Sequence, residues 1–283
     1  MANSSDFVVT AGNTSDNPEV LINNETGTIE ATAAQTGLLI ISGKTDIILT
    51  NEGSVSGGLE VSNSRTNSTG VFIDNSGTIS GSKGIYVDSS SDISGGIINS
   101  GLIRGSSAEG IFIDTSSDIS GGIDNSGTIL GTTGISVYDT SDISGGIDNS
   151  GTIFGADEGI VVFDDSDISG GINNSGNILG GTRGIRIEDT SDISGGIDNS
   201  GTISGGAAGI AVFEDSDISG GIDNNGTISG GSAGIYVHDT SSDISGGIDN
   251  SGTISGGARG IRIEDTSDIS GGIVNSGLIR GGS

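Results

Sequence analysis

The chain has 283 residues, of which 55 are glycine, one is proline and none is cysteine or tryptophan, and its formal net charge is −28. Nine Lys and Arg face 37 Asp and Glu, which argues against nucleic-acid and anionic-membrane binding, since both rest on positive charge. The missing cysteines exclude a disulfide framework and a thiolate metal site, and one proline without a Gly-X-Y period excludes collagen.

The chain opens on Met-Ala-Asn-Ser-Ser-Asp, without the charged and apolar regions of a secretory leader. Residues 1–45 fit the later pattern poorly and read as degenerate N-terminal coils or a cap, with a weak match at Ile29. No run of 18 apolar residues occurs, so no membrane insertion by a helix of this chain is expected.

From residue 46 to 283 the chain is a repeat. The segment Ser-Asp-Ile-Ser-Gly-Gly-Ile-Asp-Asn-Ser-Gly-Thr-Ile returns with its leading aspartate at Asp92, Asp118, Asp142, Asp167, Asp192, Asp217, Asp243 and Asp268. The spacing is 24 to 26 residues. The β-branched residue of the Asn-x-Gly-x-Ile core extends the series from Val55 and Ile79 to Ile279.

Within each unit three short apolar pieces are separated by Gly, Asn, Asp and Ser. Gly-Gly-Ile-Asp-Asn alternates, Gly-Thr-Ile is second, and Gly-Ile-x-Val is third, as in Gly234-Ile-Tyr-Val237. Alternation of β-branched residues between turn signals predicts strands. A unit this short cannot bury its own apolar face, so successive units must stack around one shared core. The expected fold is all-β: a single parallel β-helix, a β-solenoid of about 25 residues and three short strands per coil, with about eleven coils. A right-handed path is expected because parallel crossovers take that hand. Ile143, Ile147, Ile153, Ile160 and Val162 should fill one core layer. Asn99, Asn125, Asn149, Asn174, Asn199, Asn224, Asn250 and Asn275 fall on the inward parity and predict a stacked amide ladder.

Three carboxylate columns stand out. One is outward, at Asp74, Asp124, Asp148, Asp198, Asp223 and Asp249. A second follows Gly-Ile-x-Val, at Asp88, Asp114, Asp139, Asp164, Glu188, Glu214, Asp239 and Glu264. The third is the Asp92 series. Stacked at about 4.8 Å, each like-charged pair costs roughly 0.9 kcal/mol even in water. The Asp92 series is therefore a candidate Ca²⁺ column, since calcium prefers oxygen ligands; turn residues on a solvated face give the same pattern. The single histidine, His238, cannot form a His cluster for zinc. Carboxylates recur in every unit, so no pair is set apart as a glycosidase acid and base, and the expectation is no enzyme. The residues most variable between units are the middle position of Ile-x-Val (Tyr86, Phe112, Ser136, Val161, Arg186, Ala211, Tyr236, Arg262) and the position after Gly-x-Ile.

The repeat, carried by Gly-Gly-Ile-Asp-Asn-Ser-Gly-Thr-Ile-Ser at 195–204 and Gly-Ile at 209–210, resembles the Asn-Ser-Gly-Thr-Ile repeats of bacterial autotransporter passenger domains and related β-solenoid adhesins. The resemblance covers residues 46–283 and implies secretion, surface display, and work in adhesion, autoaggregation or as a rigid stalk. The chain carries neither the family's C-terminal membrane barrel nor a signal peptide, so it is expected to be a piece of a longer passenger or to be exported differently. The expected partners are a host or neighbouring cell surface, or a second copy stacked end to end on an uncapped coil to build an extracellular filament or matrix.

Overall fold

The computed structural model describes Phe7–Ala11, Glu19–Asn23, Thr28–Glu30, Leu38–Ser42 and residues 47–62, 71–239 and 241–282. Residues 1–6, read above for a leader, most of the rest of 1–45, and Ser283 lie outside them. Among the described residues every element is a strand and every strand pairing is parallel. Consecutive coils bond residue for residue, as in Ile147↔Ile172, Asp148↔Asn173 and Asn149↔Asn174. The molecule is a β-solenoid.

Three sheets run along it. The first has eleven strands, from Glu19–Asn23 to Ile273–Asn275, and carries the Ile-Asp-Asn pieces. The second has 20 strands. It holds the Gly-Thr-Ile and Gly-Ile-x-Val ladders, which Thr128–Val137 and Thr152–Phe163 join by running through both. The third has six two-residue strands, from Asp118–Ile119 to Asp243–Ile244, and bridges at Asp92 and Asp268 extend it. The strands described within 1–45 pair into the same ladders, and Ile29 stacks on Val55.

The alternation that predicted strands is the alternation that fills the core. Ile143, Ile147, Ile153, Ile160 and Val162 are all buried, and their equivalents form one continuous cluster from Leu49 to Ile269. Each isoleucine so covered contributes about 1.5–3 kcal/mol. The polar edge of this core is the amide ladder. Asn51, Asn75 and the first seven of the eight predicted asparagines each donate Nδ2 to the Oδ1 of the asparagine one coil on, at 2.6–2.8 Å, with Asn275 as the last acceptor. A second Nδ2 bond of 3.1–3.3 Å reaches a backbone carbonyl of the next coil.

Three kinds of corner close the coil, and the one between Asp-Ile and Ile-Asp-Asn turns on a glycine in left-handed backbone, as at Gly171 (φ 81°). After each asparagine the chain passes so near the coil before it that a side chain has no room: a Cβ on Gly176 would lie 2.1 Å from the Gly151 carbonyl oxygen. After the Ile-x-Val strand, pairs of non-glycine residues turn the chain through left-handed backbone, as at Thr115 and Ser116 (φ 59° and 55°) and Asp164 and Asp165 (φ 63° and 56°). The 24-residue coil between Asp118 and Asp142 keeps register through an irregularity between Gly131 and Thr133.

Candidate functional site

The Asp92 series lies in the third sheet, each aspartate directly beneath the next. Its carboxylates serve the backbone: Oδ1 of Asp118, Asp142, Asp167, Asp192, Asp217 and Asp243 each accepts the amide N–H of the aspartate one coil on, at 2.8–3.1 Å. Asp92 accepts from the Ser120 hydroxyl at 2.9 Å. Burial pushes the carboxyls of Asp118, Asp142, Asp192 and Asp217 above the usual aspartate range; the amide bond opposes this and the neighbouring aspartates add to it.

Beside this column runs a second buried polar ladder that the sequence did not announce. Ser91, Ser117, Ser141, Ser166 and Ser191 each donate a backbone N–H to the hydroxyl of the serine one coil on, at 3.0–3.1 Å. In the sequence these serines look like turn residues beside an aspartate; only the stacking turns their hydroxyls into acceptors.

The outward column on the first sheet stacks as expected: Asp74, Ile98, Asp124, Asp148, Asn173, Asp198, Asp223, Asp249 and Val274 share one line. Asn173 breaks the run of charge and donates to Asp148 at 2.7 Å. A groove of about 500 Å³ follows this line from Asp124 to Asp223.

The column expected after Ile-x-Val needs correcting. Asp88, Asp114, Glu188 and Glu264 hold that position, but Tyr138, Phe163, Phe213 and His238 hold it in the intervening coils. Asp139, Asp164, Glu214 and Asp239 stand one residue further on, at the corner, where Asp139, Asp164 and Glu214 have left-handed backbone at φ 52–63°. The reason is local. Tyr138 and Phe213 make the same backbone bond to the coil before, to the Ile113 and Ile187 carbonyls, that Asp114 makes to Val87, so the acidic residue that follows each ring falls on the corner.

This face therefore carries a ribbon of rings. Tyr86 stacks on Phe112 and Tyr138 on Phe163, with centroids 5.4 and 5.2 Å apart and planes within 8°. Lys83 Nζ lies 3.5 Å from the Tyr86 centroid, and Arg262 lies 4.5 Å over Tyr236. Burial lowers the Lys83 ammonium pKa and, with Asp88 and Asp114, raises the Tyr86 phenol. Two of the sites that vary between units are covered: Ser136 is buried, and Ala211 lies beneath Phe213 and Tyr236. Arg186 pairs with Glu188, and Arg262 with Glu264.

Among the described residues, two groups bring three metal-capable side chains within 4.8 Å of one another, and neither contains a member of the Asp92 series. Both lie at the corner after the Ile-x-Val strand. In one, Glu214 is held above the usual glutamate range, first by a hydrogen bond with Asp189, and Glu188 completes the group. In the other, His238 stands between two aspartates, with Nδ1 3.0 Å from Asp239 Oδ1 and Nε2 3.0 Å from Asp265 Oδ2. No family model, curated protein or solved structure matches the chain.

Proposed function

We propose that this chain is a non-catalytic structural and adhesive rod displayed outside the cell, a surface stalk or an adhesin segment. The observation that carries this reading is the amide ladder. Ten asparagines in line are bonded coil to coil, so the buried polar groups are spent on holding a one-dimensional stack in register. Among the described residues the titratable groups recur along the rod, and none of those is set apart in a cleft as an acid–base pair. Outer positions vary from coil to coil, which is where an adhesive surface would be written, and extracellular display rests on the resemblance of the repeat to passenger domains. Negative-stain electron microscopy of the purified chain should show straight particles of about 50 Å, eleven stacked strands at about 4.8 Å each. Beads coated with the chain should attach to cells, or to one another, more than beads coated with an unrelated acidic protein. Equal attachment sinks the adhesive role and leaves a stalk; globular particles sink both.

A further inference from the structure

We infer that His238 and Asp265 form a binding site for one divalent ion of the zinc class, with Asp239 holding the imidazole in place. The geometry poses a problem of protons. A neutral imidazole carries one N–H and can donate to one acceptor, yet both ring nitrogens of His238 face a carboxylate oxygen at 3.0 Å. If Nδ1–H donates to Asp239, the bare Nε2 lone pair points at an oxygen of Asp265, and that contact repels unless Nε2 also carries a proton, making the ring an imidazolium that donates to both aspartates, or a metal ion takes that second proton's place. A metal ion set to one side of the line from Nε2 to Oδ2 reaches both atoms at this separation. Two ligand atoms each about 2.0–2.2 Å from one zinc ion lie about 3 Å apart when they subtend roughly a right angle.

Three further features fit a metal. Asp265 is more exposed than Asp239, 59% against 37%, so waters can complete the coordination shell on its side. Asp239 on Nδ1 is the arrangement that fixes ring tautomer and orientation in histidine metal sites, where the carboxylate lies outside the ligand set. The ring is also walled by aromatics, with Tyr236 at 5.4 Å and Phe213 at 6.3 Å between centroids, so little side-chain freedom remains to be lost on binding. An imidazole nitrogen with a carboxylate selects zinc, nickel or copper over calcium, which takes oxygen ligands. The net charge of −28 raises the local concentration of any divalent cation. Because His238 follows the strand Ala233–Val237 and Asp265 follows Arg259–Ile263, a bound ion ties one coil to the next.

The test is a Zn²⁺ titration of the full chain in millimolar Ca²⁺, which fills diffuse carboxylate sites. The readouts are calorimetry and the ¹⁵N resonances of the imidazole, which is the chain's single histidine. One zinc per chain is expected, with the shift falling on Nε2. His238→Gln and Asp265→Asn should each weaken binding at least tenfold, Asp239→Asn by roughly ten- to a hundredfold, and Glu214→Gln should leave it unchanged. All four variants should keep the β-sheet circular dichroism of the parent, since these side chains are partly or fully exposed. Zinc uptake that survives His238→Gln overturns the site, as does the absence of any uptake above the calcium background.

Discussion

A single amide in this rod does three jobs. Asn174 accepts from Asn149, donates to Asn199, and donates again to the Thr202 carbonyl. Truncating it strands the Asn149 donor and the Asn199 acceptor in the core, and each buried group left unpaired costs about 1–3 kcal/mol. Asn174→Ala should therefore lower unfolding stability by about 3 kcal/mol or more. Asn173→Ala, one residue away on the outer face and bonded to Asp148, should change it by less than about 0.5 kcal/mol. Urea unfolding of the two variants side by side checks both numbers; equal losses would mean the ladder contributes no more than a surface bond. The inward parity of these asparagines was plain in the sequence because Ile-Asp-Asn alternates without interruption. The serine ladder was not, because Ser141 precedes an aspartate at a corner, where the sequence does not say which way a hydroxyl turns.

At the scale of the element, the unusual parts are the corners. Left-handed backbone costs an L-residue roughly 1–2 kcal/mol, and glycine escapes that cost but loses more entropy on folding. Thr115 is β-branched, sits at φ 59°, and its backbone N–H bonds Asp114 Oδ1 at 2.8 Å, a bond that glycine would retain. Thr115→Gly should raise the melting stability by about 0.5–1 kcal/mol, read by thermal or urea unfolding; a loss would mean that the threonine side chain packs the corner. The corner also explains the misread column. In Ile-Ser-Val-Tyr-Asp the acidic residue is the conspicuous one, but strand register is set by which amide reaches the Ile113 carbonyl, and that amide belongs to Tyr138.

For the whole molecule, the net charge of −28 works against the fold through self-repulsion. The carboxyls of Asp118, Asp142, Asp192 and Asp217 have raised pKa values in the rod, burial first among the causes. Between the ordinary value of 3.8 and the raised values, the folded rod holds more protons than the unfolded chain. Stability from these groups therefore increases as pH falls through the raised values toward 3.8, and is lost as pH rises through them. Glu264, held below its usual range by Arg262, acts in the opposite sense. Thermal melts at constant ionic strength should give a higher midpoint in mildly acidic buffer than at neutrality, and added salt should narrow the gap. Asp142→Asn keeps an oxygen for the Asp167 amide while removing one charge, so it should raise the neutral-pH midpoint and flatten the pH dependence. A midpoint that falls steadily from pH 7 to pH 4.5 in the parent would contradict this account.

The sequence by itself determined the solenoid, the composition of its core and the amide ladder, because each depends only on period and parity, and a stack of equivalent coils repeats whatever one coil does. Tertiary structure decided the rest. Which aromatic rings cover Ala211, which serine hydroxyl receives an amide, and how His238 comes to stand between Asp239 and Asp265 all depend on corners and on side chains from neighbouring coils. Those contacts join residues about 25 positions apart, and their geometry is set by how the corner turns the chain, which the order of residues along one coil does not specify.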